Sequence, residues 1–318
     1  YAVGRRQNPT AVDIIQDIMQ TEFDPPLDSN DLEDSDHSEY SDWIYAFTQN
    51  EKINSKKLLE QLASISPYIP RFNNLGEFNF NVIRKIYSEE TILTSVLIKK
   101  ADCISYSNSR TKIEDVRTTC KIHYNWSYPF EVFNKDTEST ITILPNYKLD
   151  YYGLESDVEL LIDDERGKML RAIKINNDLA QVEDTTAINI AKWLLLLNCN
   201  QHLKMKVRLP LNYLDVEVGS LVRFDEELGD ALPYGINYAF GTGEISESTF
   251  VIDGIGYLGS QVNGQQVFPV FMVTSTNKTL QYVEIECIQM HNLDDTQPLV
   301  MGGAVYGATD SQAWNYNE

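Results

Sequence analysis

The sequence predicts an α+β protein, rich in β structure, in which a small β-barrel and a helix-plus-hairpin module are braced by three helices. Three observations predict it. Apolar residues recur at helical spacing in three stretches, they alternate with period two over much of the remainder, and Gly, Pro and Asn mark the changes between the two. With 318 residues, 42% hydrophobic and 11% aromatic, the chain has the composition of an ordered globular protein with room for two or three domains.

Each element follows in chain order. Asn8 is placed to cap a first helix with Pro9 in its first turn, and Val12, Ile15, Ile18 and Met19 fall on one face. Behind it, DPPLDSNDLEDSDHSEYSD has few large apolar residues and reads as an exposed acidic connection. A calcium loop there would need a glycine at its tight turn and a distal bidentate Glu, and that glycine is lacking. Residues 1–40 are thus a helix and an acidic loop, and the start at Tyr1 instead of Met is that of a chain whose native start is missing or processed.

A second helix starts at Asn54, with Ile53 and Leu58 at staple positions. It buries Leu58, Leu59, Leu62 and Ile65 before Pro67 and Pro70 stop it. After the NNLG turn, Phe78, Phe80 and Val82 alternate with Asn79 and Asn81, which predicts a hairpin beside that helix. Strands are expected over Ile92–Ile104 and Val116–Trp126, then loops from Asn134 to Glu165, making 41–183 a helix-hairpin and strand domain.

Asp184 is placed to cap the third helix, TTAINIAKWLLLLN, whose several apolar sides predict burial between two layers. Met205, Val207 and Leu209 then alternate with Lys204, Lys206 and Arg208, and Leu214, Val216 and Val218 alternate with Asp215 and Glu217. Gly219-Ser220 turns the chain into Leu221–Phe224. The last paired strands are Val267–Thr274 and Leu280–Ile288, joined across STNKT. Residues 184–293 form a long helix plus a small β-barrel, and 294–318 a C-terminal tail.

The chemistry-bearing residues point away from catalysis. A net charge of -21 disfavours specific nucleic-acid binding, which rests on clustered Lys and Arg. Cys103, Cys120, Cys199 and Cys287 are too scattered for a zinc site and read as free, mostly buried thiols. No apolar run is long enough to span a bilayer. The glycines of FVIDGIGYLGS, Gly254, Gly256 and Gly259, have dinucleotide-turn spacing, but SQVNGQQVFPVFMV follows with a turn, a proline and a strand where a helix is required.

His37, His123, His202 and His291 have no second ligand at helix or strand spacing, and no GxSxG is present. Acidic pairs such as Asp163-Asp164 and Asp294-Asp295 are background in a chain with 47 acids. The sequons at Asn125 and Asn277 are short enough to arise by chance. The reading therefore assigns no catalytic, cofactor-binding or metal residue, no cofactor and no enzymatic activity.

The order of segments carries more. NPTAVDIIQDIM, the acidic loop, FTQNEKINSKKLLEQLASISPYIPRFNNLGEFNF, SRTKIEDVRTTCKIHY and NCNQHLKMKVRLPLNYLDVEVGSLVRF together resemble the bacteriophage tail hub proteins, also called baseplate hub or tail-tip proteins, over residues 5–292. The resemblance implies a structural virion protein located in the phage tail, with an extra barrel ahead of the first helix, so that residues 1–40 would be the end of a missing N-terminal barrel. The protein would form a homotrimer that continues the tail tube and carries fibre, spike or receptor-binding parts distally, with DNA passing through a channel lined by acidic residues. Two other readings remain: a virion carbohydrate-binding module using Tyr and Trp faces, and a glycan hydrolase whose paired carboxylates are not local in sequence.

Overall fold

The computed structural model describes residues 9–22, 38–47, 54–73, 76, 78–140, 159–170, 173–174, 182–183, 185–199, 202–225, 238–239, 249–252, 255–258, 261–262, 265–291 and 293. The fold is α+β and rich in β structure, as the two periodicities predict. It comprises two units, one from residues 1–84 and 117–198 and the other from 85–116 and 199–318. These units cut across the segments 41–183 and 184–293, because pairing distant in sequence decides them: the long helix packs on strands that precede it, and residues 96–110 pair with strands beyond residue 202.

In unit 1, helix α1 (Ala11–Glu22) is capped by Thr10. Its Oγ1 accepts from the Asp13 N–H at 3.3 Å while the Asp13 carboxylate accepts from the Thr10 N–H at 2.9 Å, the reciprocal bonds of a capping box. The first helical bond runs from Ile14 N–H to Thr10 O; Asn8 lies outside the described residues. Val12, Ile15, Ile18 and Met19 are buried as expected, with Ala11 and Ile14 widening the stripe.

Helix α2 (Ser55–Ser64) starts where Asn54 accepts from the Lys56 N–H at 2.9 Å. The predicted hairpin is β1 (Tyr68–Phe72) with β2 (Phe78–Val82), in register Tyr68 to Val82. Rings link these elements edge to face: Tyr40 meets Trp43 and Tyr68, Tyr68 meets Phe80, and Phe80 meets Phe78.

The predicted strand near Val116 is β5 (Thr119–Ser127), which buries Cys120, Ile122 and Tyr124 and pairs with β6 (Val132–Thr140) and β7 (Glu159–Leu161). Strand β6 replaces the start of the loop expected from Asn134. From Asn134 on its residues are polar and the side chains described on it are exposed or half-buried, so backbone pairing to β5 defines it and apolar alternation does not.

Helix α4 (Asp164–Gly167) follows, then the short pair β8 (Ile173–Lys174) and β9 (Val182–Glu183). At Gly167 a Cβ would collide with the His123 carbonyl oxygen. The long helix is α5 (Thr185–Asn198), which packs on β5 and β6 with Ile190, Ala191, Trp193, Leu194, Leu195 and Leu196 buried; Asp184 lies outside the described residues.

Unit 2 is a curled half-barrel. Its main sheet runs in the order β3 (Val96–Ile98), β11 (Leu221–Phe224), β16 (Gln265–Lys278), β17 (Val283–His291), β10 (Leu203–Leu209) and β4 (Ser105–Arg110), with β15 (Gln261–Val262) pairing on β16. One strand does not fill Ile92–Ile104. Ser88 accepts from Thr91 N–H and starts α3 (Glu89–Thr94), and β3 and a 3-10 turn at Lys100–Asp102 follow.

Leu214–Val218 is likewise not a strand. After Pro210 the chain makes a 3-10 turn over Leu211–Tyr213 and a second turn that ends at Gly219, whose φ of 82° is the left-handed region. The terminal hairpin is longer than predicted and turns at Thr279–Tyr282, where Thr279 N–H donates to Tyr282 O at 3.0 Å. Its register shifts between Val267 and Phe271, around Pro269, which has no N–H to give the ladder. The core between these strands is mostly aliphatic: Met205, Val207, Leu209, Val222, Val273, Val283 and Ile285 with Phe224 and Phe271.

Candidate functional site

Three chain segments meet at one end of the unit 2 sheet. Leu209 pairs with Val283, Val283 pairs with Lys278, and Ile104 N–H donates to Arg208 O at 2.9 Å. The start of β4, the end of β10 with the turn behind it, and the tip of the β16–β17 hairpin therefore share that end. Large apolar side chains there stand in solvent: Leu280 is 95% exposed, Ile104 61%, Leu214 45% and Leu211 44%. Such a gathering marks a surface that binds protein more often than one that stays wet.

The backbone beneath is fixed by polar contacts. The Tyr213 hydroxyl donates to Asp102 Oδ2 at 2.8 Å and accepts from Lys99 N–H at 3.3 Å, and Lys100 N–H donates to Asp225 Oδ1 at 2.8 Å. Burial, then the Asp102 contact, pushes the Tyr213 phenol above its ordinary pKa.

Beside the apolar residues, the outer face of β10 and β17 carries an ion ladder. Lys206 Nζ lies 3.0 Å from Glu284 and 2.9 Å from Glu286, Arg208 Nε lies 2.6 Å from Glu284, and the Arg208 guanidinium sits 4.9 Å over the Tyr282 ring. Hydrogen bonds from Arg208 and Lys206 hold the Glu284 carboxyl below its ordinary value, and those carboxylates hold both cations above theirs. Within the ladder two cations face two carboxylates and balance, and Lys204 follows on the same exposed face of β10, in a chain of net charge -21.

The other residues singled out from sequence are not assembled into a reactive site among the described residues. Gly256 lies in β14 (Ile255–Leu258), between β12 (Tyr238–Ala239) and β13 (Thr249–Ile252), so a strand stands where a dinucleotide turn would need a helix; Gly254 and Gly259 lie outside the described residues. Asp163 caps α4, accepting from Arg166 N–H at 3.0 Å and Arg166 Nε–H at 2.8 Å, and the Arg166 contacts hold its carboxyl low.

Trp43 and Trp193 are buried, and Trp126 is covered by Lys168 and Phe133. The four cysteines are free, and burial raises the thiols of Cys103 to about 11 and of Cys120 and Cys199 to about 12. Asn125 has a φ of 59° within β5, and Asn277 is exposed near the hairpin tip. His37, Asp294, Asp295 and residues 24–37 of the calcium-loop candidate lie outside the described residues; its last residues include the 3-10 turn Ser38–Tyr40.

One pairing was invisible in sequence. His202 and His291 stack with ring centroids 4.4 Å apart and planes 8° from parallel, because β10 and β17 are antiparallel partners with Lys204 opposite Ile288. That register was the missing signal. Among the described residues, no group of three or more His, Cys, Asp or Glu is placed to hold a metal ion, and no helix is long and apolar enough to cross a membrane.

No family model and no curated protein matches the chain. Among solved structures it is similar to the prophage tail protein gp18 from Listeria monocytogenes EGD-e, at 15% identity and a TM-score of 0.36, over 81% of this chain and 59% of that one. It is also similar to the 43 kDa tail protein of prophage MuSo2 from Shewanella oneidensis, at 11% identity and a TM-score of 0.35, over 77% of this chain and 56% of that one. The chain spans under two thirds of the length of either protein.

Proposed function

We propose that the chain is a structural component of a phage tail, of the hub or tail-tip kind. In this reading it assembles as a homotrimer on the tail axis, joins the tail tube to distal fibre, spike or receptor-binding parts, and catalyses no reaction. The order of sequence segments over residues 5–292 carries this reading. The apolar end of unit 2 supports it physically, since four exposed large aliphatic side chains beside a neutralised ion ladder suit contact with protein. The two similar solved structures are prophage tail proteins, and at their TM-scores they add no weight to the reading.

Acidic residues outside the ladder line the passage in this proposal. Like charge along the wall denies DNA the counterion release that would make it bind, so the cargo slides.

The test is a density map of intact particles together with the mass of the assembled species. Threefold density for this chain at the distal end of the tail axis is expected, and Leu280→Glu combined with Leu211→Glu should cut its incorporation by about tenfold or more. Density off the tail axis, or a channel wall dominated by Lys and Arg, overturns the proposal. Full incorporation of the double variant removes the apolar end from it.

A further inference from the structure

We propose that the stacked His202–His291 pair is an acid-released fastening, which holds together the stretches of unit 2 that lie next to the chain's crossings to unit 1. The crossings fall at 84/85, 116/117 and 198/199. Residues close to all three are tied around the pair. Thr111 N–H donates to His202 O at 2.9 Å, His202 N–H donates to Thr111 Oγ1 at 3.1 Å, and Leu293 N–H, two residues beyond His291, donates to Lys85 O at 2.8 Å.

The rings are built into the fold. His202 is 7% exposed and His291 1%. His202 Nδ1 lies 3.0 Å from Gln289 O, and the Gln289 side chain donates to Phe268 O at 3.1 Å. Both ring nitrogens of His291 are buried, with no hydrogen-bond partner among the described residues. A neutral ring tolerates this setting, whereas an imidazolium there gains no acceptor and faces a second imidazole across 4.4 Å.

Among the described residues, the surrounding groups offer no rescue. On β4 the charged neighbour is Arg110, opposite Leu203; on β10 it is Lys204; at the first crossing it is Lys85. Beside Phe268 stands the neutral ring of Tyr87, and β16 has no charged residue from Gln265 to Val273. On β17 the nearest carboxylate, Glu286, bridges to Lys206, and Cys287 is a buried neutral thiol. Burial first, and His202 second, hold the His291 imidazole well below its ordinary value. A histidine whose folded pKa is lowered stabilises the fold above its unfolded value and loses that contribution as pH falls below about 6.5. Acid therefore opens this end of the half-barrel by favouring the open state, in which the His291 ring is protonated.

Hydrogen exchange of the intact chain, corrected for intrinsic rate, tests the fastening at about pH 7.5 and about pH 5.5. Peptides covering 108–112, 202–205 and 288–293 should open about tenfold more often at the lower pH for each proton taken up, while α5 of unit 1 holds. His291→Phe keeps a stacked ring and removes the proton, so its opening should not respond to this change. If that variant does not fold, the imidazole titrations of the wild-type chain, followed by NMR, decide. A His291 ring that titrates near 6.5 without opening overturns the proposal, as do exchange rates equal at the two pH values or an acid response retained in His291→Phe. None of these outcomes depends on the tail role, which the particle map tests separately.

Discussion

The two units build their interiors by different means. In unit 1 a chain of rings runs from Phe78 through Phe80, Tyr68 and Tyr40 to Trp43 and Trp193, each pair edge to face. In unit 2 the interior is mainly Val, Ile, Leu and Met, drawn from strands as distant in sequence as Ile98 and Ile285. Rings fix one another by geometry at short range, since edge-to-face pairs add about 0.5 to 1.5 kcal/mol beyond their buried area. Aliphatic strands are fixed by register, which a slip of one residue would invert. The first unit adds interlocked rings to the aliphatic faces of α1 and α5, whereas the second relies on which strand lies beside which.

That contrast explains what could be read in advance. Asn54, the alternation of Phe78 with Phe80, and the pattern of β10 are local signals, and each produced its element. Strand β4, SYSNSR, is exposed along its whole length, so no apolar pattern betrays it and only its pairing with β10 makes it a strand. The apolar residues from Ile92 to Ile104 predict a strand, but the bond that Ser88 accepts from Thr91 N–H starts α3 at that point. The candidate interface and the histidine pair depend on the register of β10, β16 and β17, which single-strand periodicity does not contain. Strands with one buried face, such as β10, were legible in the sequence; the exposed strand β4, and which strands are neighbours, were not.

The largest expected effect tests whether the ring-built unit stands by itself. Leu195 lies on α5 at 3% exposure, and Leu195→Ala should cost about 2 to 5 kcal/mol by emptying a core site. Denaturant unfolding measures the cost, and hydrogen exchange locates it: amides of α5 and β5 should lose protection while β10 and β17 keep theirs. Equal losses in both units would mean one cooperative core and would end the contrast. A cost below about 0.5 kcal/mol would place Leu195 outside the core.

A smaller effect probes the register-built unit. Gly219 holds its φ of 82° while its N–H donates to Val273 O at 2.7 Å, and Val273 N–H returns a bond to Ser220 O at 3.0 Å. A β-branched side chain does not reach that backbone region without strain, so Gly219→Val should cost about 1 to 3 kcal/mol. Gly219→Asn should cost less, because Asn visits the left-handed region more readily. An unchanged melting temperature for Gly219→Val would show that β11 and β16 keep their register without this turn.

The smallest effect concerns the ion ladder on the outer face of unit 2, where Glu284→Gln removes the partner shared by Lys206 and Arg208. The folded carboxyl titrates below its ordinary value, so its contribution is present above the usual carboxylate range and is lost as pH falls through the folded value. The stability gap between wild type and variant, read by denaturant unfolding near neutrality, should close in acid. It should also shrink at about 1 M salt, where the screening length falls to about 3 Å. If the gap survives both treatments, the variant has disturbed the packing of Arg208 over Tyr282 and not a charge pair. The charge balance of the ladder would then be incidental to its stability, and β10 and β17 would owe their register to the aliphatic face alone.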